Sequence, residues 1–418
     1  LAACKTPAMG TYVDYCPECK KVIKIRYQSC NNRNCPGCQH PLQEKWIQLR
    51  KAEVIEGIPY FHIVLTLPHE LNPLIELNPN LLLGNLFRSS AQAVIQMCMD
   101  PKYLGAKPGI ISVLHTWTQD LQLHYHIHMI CTAAGITPDG DFISIDSSQE
   151  NDPRKLPENE DDSEQDELTE WLENSNTEVP EPSEPSSGFF LPLKPLTILF
   201  RGKYMEELRS LYTQHKLRFP SELDDLNDPM NWKTFCYKLY EKQWIGYLAR
   251  TFNGHGNAID YLARYTFRTA ISNSRIIDYD GKQVTILVRD NNNPKQRIPK
   301  VLNVYEFISR LLKHVLPKGF TRVRFYGFLS NAQKNKNLQH IFKQVIGKRY
   351  EKSPVKDLNG IQLLQYLLPE KHIGFCPDCG HATFSFSFGN SDFPHSKRSR
   401  AAPASSQPHS HVSWPHAS

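Results

Sequence analysis

Three histidines occupy alternate positions of one short segment, His124, His126 and His128, and the residues between and around them are apolar. Alternate side chains of a β-strand point to the same side, so the segment predicts a buried strand with a row of imidazoles on one face. Imidazole is the commonest protein ligand for transition metals near neutral pH. The pattern therefore favours a metal site over the alternative, three unrelated surface histidines.

A second group of reactive side chains lies in residues 257–268, which the sequence predicts to be a helix capped by Asn257. One stripe of this helix is apolar, and the opposite stripe repeats at spacings of three and four residues. That opposite stripe carries Tyr261, Arg264, Tyr265 and Arg268. Arginine can hold a phosphate bidentately while a phenol oxygen attacks it. The alternative is an ordinary solvated face with amphipathic tyrosines.

Paired cysteines near the start of the chain are spaced like the two knuckles of a four-cysteine zinc ribbon. The four predicted ligands are Cys16, Cys19, Cys35 and Cys38, with Cys30 as an alternative ligand. A disulfide framework or a set of inert thiols is the alternative interpretation. Because a structural zinc ion can fold a small module that has almost no core of its own, we expect a zinc-binding module here, in a reducing compartment.

The net charge of +5 conceals a strong asymmetry along the chain. Residues 150–185 contain fourteen acidic residues against Arg154 and Lys155, so this stretch carries −12 and the remainder carries +17. A basic body favours polyanionic partners, of which DNA and RNA are the usual ones. A surface tuned for solubility is the alternative. The acidic stretch has too few large apolar residues to fold alone.

The length of 418 residues predicts two to three domains at roughly 150 residues each. Periodicity predicts a strand from residue 60, a helix over 81–99, a strand over 109–117 and a turn at 118–120 that leads into the histidine strand as a hairpin. No apolar run is long enough to cross a bilayer, so we expect a cytoplasmic protein without membrane contact.

The predicted division of the chain follows these patterns. It comprises a zinc-binding module (10–55), the first part of the main domain (56–147), an acidic disordered insertion (148–187), the second part of the main domain (188–350), a C-terminal region with a Cys376/Cys379 knuckle (351–383) and a disordered tail (384–418). The knuckle offers only half of a zinc site on its own.

Several of these motifs together resemble a rolling-circle transposase of the insertion-sequence 91 family. They are the histidine strand, the two tyrosines of Tyr-Leu-Ala-Arg-Tyr (261–265), the segment Ala-Ile-Ser-Asn-Ser-Arg (270–275) and the module that ends Asn-Cys-Pro-Gly-Cys-Gln (34–39). Such enzymes are named HUH after a His-hydrophobic-His motif, here His126-Ile127-His128. The resemblance covers roughly residues 10–148 and 188–345. The chain departs from the family pattern at two positions, with Asn34 where the family often has His and Tyr125 where it often has Pro. Neither change removes a histidine of the HUH motif.

The resemblance implies an α+β fold of the HUH-nuclease type, an antiparallel sheet with flanking helices, the histidines on a central strand and the tyrosine helix packed beneath it. It implies Mg²⁺ or Mn²⁺ held by His126 and His128, with His124 or another polar side chain as third ligand, polarising the scissile phosphate. Tyr261 would then form a 5′-phosphotyrosine link while Tyr265 performs the second cleavage. The expected DNA-binding residues are Arg264, Arg268, Arg322 and Arg324.

The implied partners are single-stranded DNA at the ends of the element and target DNA, in the bacterial nucleoid. Basic and aromatic residues are interleaved near the end of the pattern, as in Arg324-Phe325-Tyr326, which suits phosphate contact and base stacking; an ordinary core sheet face is the alternative. Two other functions remain open. One is a related HUH replication initiator or relaxase, and the other is a catalytically decayed, zinc-dependent DNA-binding protein.

Overall fold

The computed structural model describes residues 3–145, 191–250 and 269–388, apart from positions 31, 36, 37, 39, 291, 292, 294 and 295, together with Ile259 and Thr266. The predicted acidic insertion and residues 389–418 of the predicted tail lie outside the described residues. The chain divides into a terminal unit, residues 2–30 and 375 onward, and a central unit, residues 31–374.

The strands are β1 (Thr11–Cys16), β2 (Lys21–Tyr27), β3 (Tyr60–Thr66), β4 (Lys107–Trp117), β5 (Leu123–Ile136), β6 (Phe142–Ser144), β7 (Gly246–Arg250), β8 (Ile276–Tyr279), β9 (Gln283–Arg289), β10 (Arg297–Asn303), β11 (Val323–Gly327) and β12 (Phe384–Phe388). The helices are α1 (His40–Lys51), α2 (Asn72–Leu77), α3 (Pro79–Met99), α4 (Leu193–Thr213), α5 (Pro229–Glu241), α6 (Val304–Lys313), α7 (Lys334–Val345) and α8 (Gly360–Leu367).

The terminal unit is built on a three-stranded antiparallel sheet in the order β12-β1-β2. Asp14 of β1 ties the three strands together: it accepts hydrogen bonds from Arg26 of β2 at 2.9 and 2.6 Å and from Ser385 of β12 at 2.5 Å. The tail predicted from residue 384 therefore begins with an ordered strand. Residues 384–388, Phe-Ser-Phe-Ser-Phe, alternate apolar and polar side chains as a strand does. The prediction grouped them with the polar residues that follow.

A six-stranded antiparallel sheet forms the centre of the central unit. Its order is β11-β4-β5-β3-β7, with β6 paired to the end of β5. The predicted hairpin is confirmed, because β4 and β5 are antiparallel neighbours joined by a turn in which Leu121 has a φ of 65°. The histidine strand β5 thus lies between β4 and β3, and the α+β class with an antiparallel sheet is confirmed.

One face of this sheet carries the main hydrophobic core, which we call the helix face. Tyr125, Ile127 and Met129 of β5 pack there with apolar side chains of α2, α3, α4 and α5. The helix predicted over 81–99 is α3, which starts slightly earlier because Pro79 occupies its first turn, where a missing N–H costs nothing. Helices and sheet bury each other's apolar sides.

The opposite face, the histidine face, has a second core. Ile111 and Val113 of β4 and Ile130 of β5 pack there with Ile47 of α1 and Leu338 of α7. Helix α1 therefore packs within the central unit, and the bounds of the zinc-binding module predicted over 10–55 stay a prediction. Both sheet faces are covered, so the polar side chains of the central strands, among them His62, His115, His126 and His128, are buried.

A buried ion pair network joins α1 to α7 on this face. Glu53 accepts from Arg50 at 2.9 Å and from Lys334 at 2.7 Å, and all three side chains are largely buried. The guanidinium of Arg50 and the ammonium of Lys334 both lie 5.0 Å from the ring centroid of Phe325 on β11. These contacts fix the two helices against the sheet edge.

A second small sheet, in the order β10-β9-β8, lies in the central unit and is covered by α6. Its apolar core includes Trp117 and Leu121 from the β4–β5 hairpin and Ile271. Of the helices in the described residues, none combines the length and the hydropathy that crossing a bilayer requires.

Candidate metal centre and zinc site

The histidine row lies where the sequence predicted it. His126 and His128 project from β5 onto the histidine face and are 2% and 1% exposed, while Tyr125 and Ile127 between them point into the helix-face core. The strand period of two residues produces this arrangement. The strand supplies two buried imidazoles that face the same way, close to each other.

A backbone carbonyl determines which nitrogen of His126 carries the proton. The Nδ1 of His126 lies 3.0 Å from the carbonyl oxygen of His124. Because a carbonyl can only accept, Nδ1 is the donor, and in the neutral ring Nε2 is then a lone pair. That Nε2 lies 3.1 Å from Nε2 of His128. An orienting hydrogen bond of this kind is typical of histidines that bind metals.

The third imidazole of the cluster comes from the neighbouring strand. His115 of β4 is the direct ladder partner of His126. One ring nitrogen of each of His115, His126 and His128 lies within 4.8 Å of the other two, and all three rings are buried. The structure therefore assembles a triad in which His115 takes the place that the sequence gave to His124.

His124 lies beside this triad without belonging to it. Its ring centroid is 4.9 Å from that of His126, but its Nε2 is buried and accepts or donates no hydrogen bond within the described residues. Burial lowers the pKa of His124 to about 4, so the ring is neutral at pH 7. Its main-chain carbonyl, which orients His126, is its visible contribution to the site.

A fourth imidazole backs the triad from β3. The Nε2 of His62 lies 2.9 Å from Nδ1 of His128, and the two rings are parallel to within 3°. His62 is fully buried, and this burial lowers its pKa to about 3. His62 is therefore neutral and contacts His128 on the side of the ring that faces away from the triad.

The chemistry of this donor set fits a divalent transition metal. The triad offers three imidazole nitrogens, and at least one of them has its lone pair directed inward by a hydrogen bond. Nitrogen ligands suit Mn²⁺ or Zn²⁺ better than Mg²⁺, which prefers oxygen. Two nitrogens 3.1 Å apart can share one ion with bonds of about 2.1 Å.

Arg322 lies near the triad, separated from His115 by the ring of Trp117. Trp117 stacks on His115 with ring centroids 4.7 Å apart, and the guanidinium of Arg322 lies 5.2 Å from the Trp117 ring. Burial and the nearby Arg33 lower the pKa of Arg322 to about 10, so Arg322 keeps its charge at pH 7. Of the four arginines predicted to bind DNA, Arg322 is therefore placed near the triad.

Arg324 lies elsewhere in the central unit. Its guanidinium is 4.3 Å from the ring of Phe87 and 5.4 Å from that of Phe320, both of which belong to the helix-face core. Arg324 thus covers aromatic rings on the side of the sheet opposite to the triad. Its predicted role in DNA binding stays a prediction.

Two residues of the predicted tyrosine helix are described, and both fit its apolar stripe. Ile259 and Thr266 are helical and are 3% and 8% exposed. Ile259 packs into the core of the histidine face, with Ile111, Val113 and Ile130 among its cluster. Tyr261, Arg264, Tyr265 and Arg268 lie outside the described residues, so their predicted roles stay predictions.

The terminal unit contains a four-cysteine cluster with a composition that the sequence did not predict. Cys16 and Cys19 meet Cys376 and Cys379, with Sγ–Sγ distances of 3.5 Å between Cys16 and Cys379 and 3.8 Å between Cys19 and Cys376. Tetrahedral zinc with Zn–S bonds of about 2.3 Å has ligand sulfurs about 3.8 Å apart. The cluster therefore has the dimensions of a structural zinc site.

The thiols of this cluster resist ionisation when no cation lies among them. The hydrogen bond with Cys379 and burial raise the pKa of Cys19 to about 12, because four crowded thiols cannot all ionise without a positive charge among them. Zinc supplies that charge and displaces the protons. The cluster is thus built for a cation.

The other predicted zinc ligands do not complete this cluster. In the terminal unit, the amide of Cys30 donates to Sγ of Cys4 at 3.4 Å. In the central unit, the amide of Cys38 donates to the carbonyl of Cys35 at 3.4 Å. The four ligands predicted from residues 16–38 therefore do not share one site. Cys16 and Cys19 are completed by the Cys376/Cys379 knuckle, which on its own offered only half of a zinc site.

Comparisons with known proteins agree with these features. Residues 109–178 and 175–337 match the Y2_Tnp family, described as "Putative transposase", and residues 1–67 match the transposase zinc-binding domain of the insertion-sequence 91 type. No solved structure matches the chain. The first match spans the triad, and the second spans the beginning of the zinc cluster.

Two relatives carry the same description over most of their length. The chain is 33% identical over 338 residues to "Putative transposase y4qJ" of Sinorhizobium fredii, covering 81% of the chain and 75% of that protein. It is 24% identical over 334 residues to the transposase for insertion sequence element IS801 of Pseudomonas savastanoi, covering 79% and 69%. The chain is a transposase with a zinc-binding domain, and it belongs to the insertion-sequence 91 family.

Proposed function

We propose that this transposase nicks and rejoins single-stranded DNA through a 5′-phosphotyrosine intermediate, as an HUH enzyme of rolling-circle transposition. The observation that carries the proposal is the buried triad of His115, His126 and His128 on the sheet face into which Ile259 packs. Ile259 lies two residues before Tyr261 in a segment with the pattern of a helix. On this proposal, the helix that bears the nucleophile covers the sheet face that holds the metal ligands, and Ile259 is its support because it packs into the core of that face.

In the proposed reaction, the phenol oxygen of Tyr261 attacks the scissile phosphorus after losing its proton to solvent. The bond between phosphorus and the 3′-oxygen breaks, and the leaving oxygen takes up a proton to become a free 3′-OH. The tyrosine ester conserves the energy of the broken bond, so a 3′-OH can later displace the tyrosine without ATP. Tyr265 would perform the second cleavage while Tyr261 still holds the first strand.

The triad would hold Mn²⁺ or Mg²⁺, which when bound supplies positive charge beside the scissile phosphate. The protein's own contribution is orientation, since the carbonyl of His124 fixes the His126 ring. A free phenol has a pKa of about 10, so Tyr261 needs nearby positive charge to ionise. Arg264 and Arg268 share its stripe of the helix pattern and are the candidates for this role.

The DNA would be single-stranded at the ends of the element and at the target, because the phenol must reach a backbone that no partner strand shields. Arg322 beside Trp117 and the triad is well placed for a phosphate contact. Arg324 of β11 would contact DNA at a separate place, because it covers Phe87 and Phe320 on the face of the sheet opposite to the triad. The place of action would be the bacterial nucleoid in the cytoplasm.

The cluster of Cys16, Cys19, Cys376 and Cys379 would hold a structural zinc ion that fastens β12 to β1 and β2. Cys35 and Cys38 have the spacing of a knuckle of their own, and we assign them to a separate zinc ion. A zinc unit with basic residues such as Lys20 and Lys24 would contact DNA.

The test is incubation of the zinc-loaded chain with end-labelled single-stranded DNA from the element ends and Mn²⁺, followed by denaturing electrophoresis. We expect a covalent protein–DNA adduct that disappears in the Tyr261→Phe and Tyr265→Phe double variant. Binding of the same DNA should persist in this variant, since a phenylalanine ring still stacks. An adduct of unchanged yield in the double variant would refute the tyrosine assignment, and the absence of any adduct would favour a DNA-binding protein without nuclease activity.

A further inference from the structure

The three-stranded sheet of the terminal unit has two chemically different faces. Residues that lie directly opposite each other in an antiparallel ladder project to the same face. On one face, which we call the apolar sheet face, the ladders place Thr11, Val13 and Tyr15 of β1, Val22, Ile25 and Tyr27 of β2, and Phe384, Phe386 and Phe388 of β12. The opposite face is polar, with Asp14 between Lys24 and Ser385.

The side chains of the apolar sheet face are exposed on both outer strands. Phe384, Phe386 and Phe388 are 58%, 52% and 62% exposed, and Val22 and Ile25 are 52% and 58% exposed. A sheet normally buries its apolar face against a second layer of structure. The described part of the chain supplies no such layer for these side chains, so the face is available to a partner.

The size of the face is that of a protein interface. A fully covered aromatic side chain buries roughly 150–250 Å², and the side chains just named are about half exposed. Together with Tyr27, which is 43% exposed, they leave on the order of 600 Å² of apolar surface uncovered, the upper end of what a typical monomer exposes in one patch. Two such faces packed together would remove about 1,200 Å² from water, which reaches the range of stable interfaces.

The chemistry of the face favours an apolar occupant over a nucleic acid. None of its nine residues carries a charge, and the basic residues Lys24 and Arg26 of β2 alternate onto the opposite face, where Arg26 pairs with Asp14. A DNA strand needs cations for its phosphates beside any ring on which its bases stack. An uncharged apolar sheet face instead packs against another such face, at a distance of about 10 Å.

We propose that the apolar sheet face is the interface of a homodimer, in which two copies of this chain pack their terminal sheets face to face about a two-fold axis. A second copy always brings an apolar face of the same size and composition. A two-fold pairing of identical patches is also the commonest symmetry of soluble oligomers. The proposal concerns assembly and does not depend on the proposed DNA cleavage.

The first test measures the mass of the zinc-loaded full chain by sedimentation velocity, after nuclease treatment has removed bound nucleic acid. At micromolar concentration we expect twice the 48.1 kDa of one chain, also at high salt, because the contact is apolar. Phe386→Lys should weaken dimerisation about 100-fold or more, since it buries a charge in the interface. The matched control, Ser387→Lys, adds the same charge on the opposite face and should remain a dimer. A monomer at every concentration, or equal dimerisation of the two variants, would overturn the proposal.

The second test identifies the occupant of the face by photo-crosslinking and does not depend on the folding of a charged variant. p-Benzoylphenylalanine in place of Phe384 keeps an aromatic ring on the face, and illumination should give a covalent product of twice the mass of one chain. The same probe in place of Ser387, on the opposite face, should give none. Capture of added single-stranded DNA in place of a second copy would overturn the proposal and make the face a stacking surface.

Discussion

His115 and His126 face each other across the ladder that joins β4 to β5, with ring centroids 5.4 Å apart. The pairing brings an imidazole from a second strand to the two that β5 supplies. It depends on the register of the hairpin, because a slip of one residue would turn His115 to the helix face. The triad is therefore a product of strand pairing as much as of the histidine motif.

The identity of the third ligand can be tested by comparing two histidine variants. We expect His115→Ala to weaken Mn²⁺ binding about 100-fold or more and to abolish the covalent DNA adduct, because one of three nitrogen ligands is lost. The control is His124→Ala, which keeps the carbonyl that orients His126 and should weaken Mn²⁺ binding by less than 10-fold. A larger loss in His124→Ala than in His115→Ala would restore the ligand set predicted from the sequence.

The composition of the zinc cluster predicts a change in metal content. The Cys376→Ser and Cys379→Ser double variant should lose one zinc ion per chain by elemental analysis, because only two thiolates of the cluster remain. Limited proteolysis should then cut between residues 375 and 388, since β12 is no longer fastened. Asp378→Asn, which changes the exposed residue inside the same knuckle, should keep its zinc. Unchanged zinc in the double variant would refute this ligand set.

Gly327 ends β11 with a left-handed backbone and no room for a side chain. Its φ is 63°, and a Cβ there would lie 1.6 Å from the carbonyl oxygen of Pro108. We expect Gly327→Ala to lower the free energy of unfolding by about 4 kcal/mol or more, through strain and a backbone clash. The control is Gly319→Ala, where φ is 80° but nothing lies within 4 Å, and the cost should be about 1–2 kcal/mol. Urea unfolding measures both, and equal costs would contradict the clash.

The turn before the histidine strand should depend on pH through Asp120. Burial alone would raise the pKa of this carboxyl, but hydrogen bonds from Lys300 and Thr118 outweigh it and hold the pKa below its usual 3.8. Because the pKa of Asp120 is lower in the folded than in the unfolded chain, its ionised carboxylate stabilises the fold fully at pH values above the unfolded pKa of 3.8. This stabilisation disappears as the pH falls through the lower pKa of the folded state.

We therefore expect Asp120→Asn to lower the free energy of unfolding at pH 7 by about 1 kcal/mol. The difference between the variant and the unmodified chain should stay constant down to about pH 5 and shrink as the pH falls further. Urea unfolding at several pH values measures it. A difference that grows on acidification would contradict the assigned direction of the pKa shift.

Features that depend on neighbouring residues could be predicted from the sequence. The period of two residues identified β5 and its histidine face, and the polar turn after Trp117 identified the hairpin. The helix over 81–99 was correct to within two residues at its start. These elements follow from local periodicity and turn chemistry, which a single sequence displays.

Features that depend on distant pairing could not be predicted. His115 looks like an ordinary residue of a buried strand, and only the register against β5 brings it to His126. Counting back through the predicted turn at 118–120 would have paired His126 with Ser112, because the ladder pairs Trp117 with Leu123 and has a register shift between Trp117 and His115. The union of Cys16 and Cys19 with a knuckle more than three hundred residues away leaves no local trace, because any of several cysteine pairs could fill a zinc site.

The terminal sheet can form only late in synthesis, because it pairs strands from distant parts of the chain. β1 and β2 leave the ribosome before their partner strand β12. Because 363 residues separate Cys16 from Cys379, synthesis at 5–20 residues per second delivers β12 about 20 to 70 s later. During that interval Cys16 and Cys19 lack the other two cysteines of their cluster, while the six-stranded sheet has time to fold. A gene interrupted just before the codon of Cys376 would thus yield a protein that retains the three histidines of the triad but lacks β12 and two of the four cysteines of the terminal cluster.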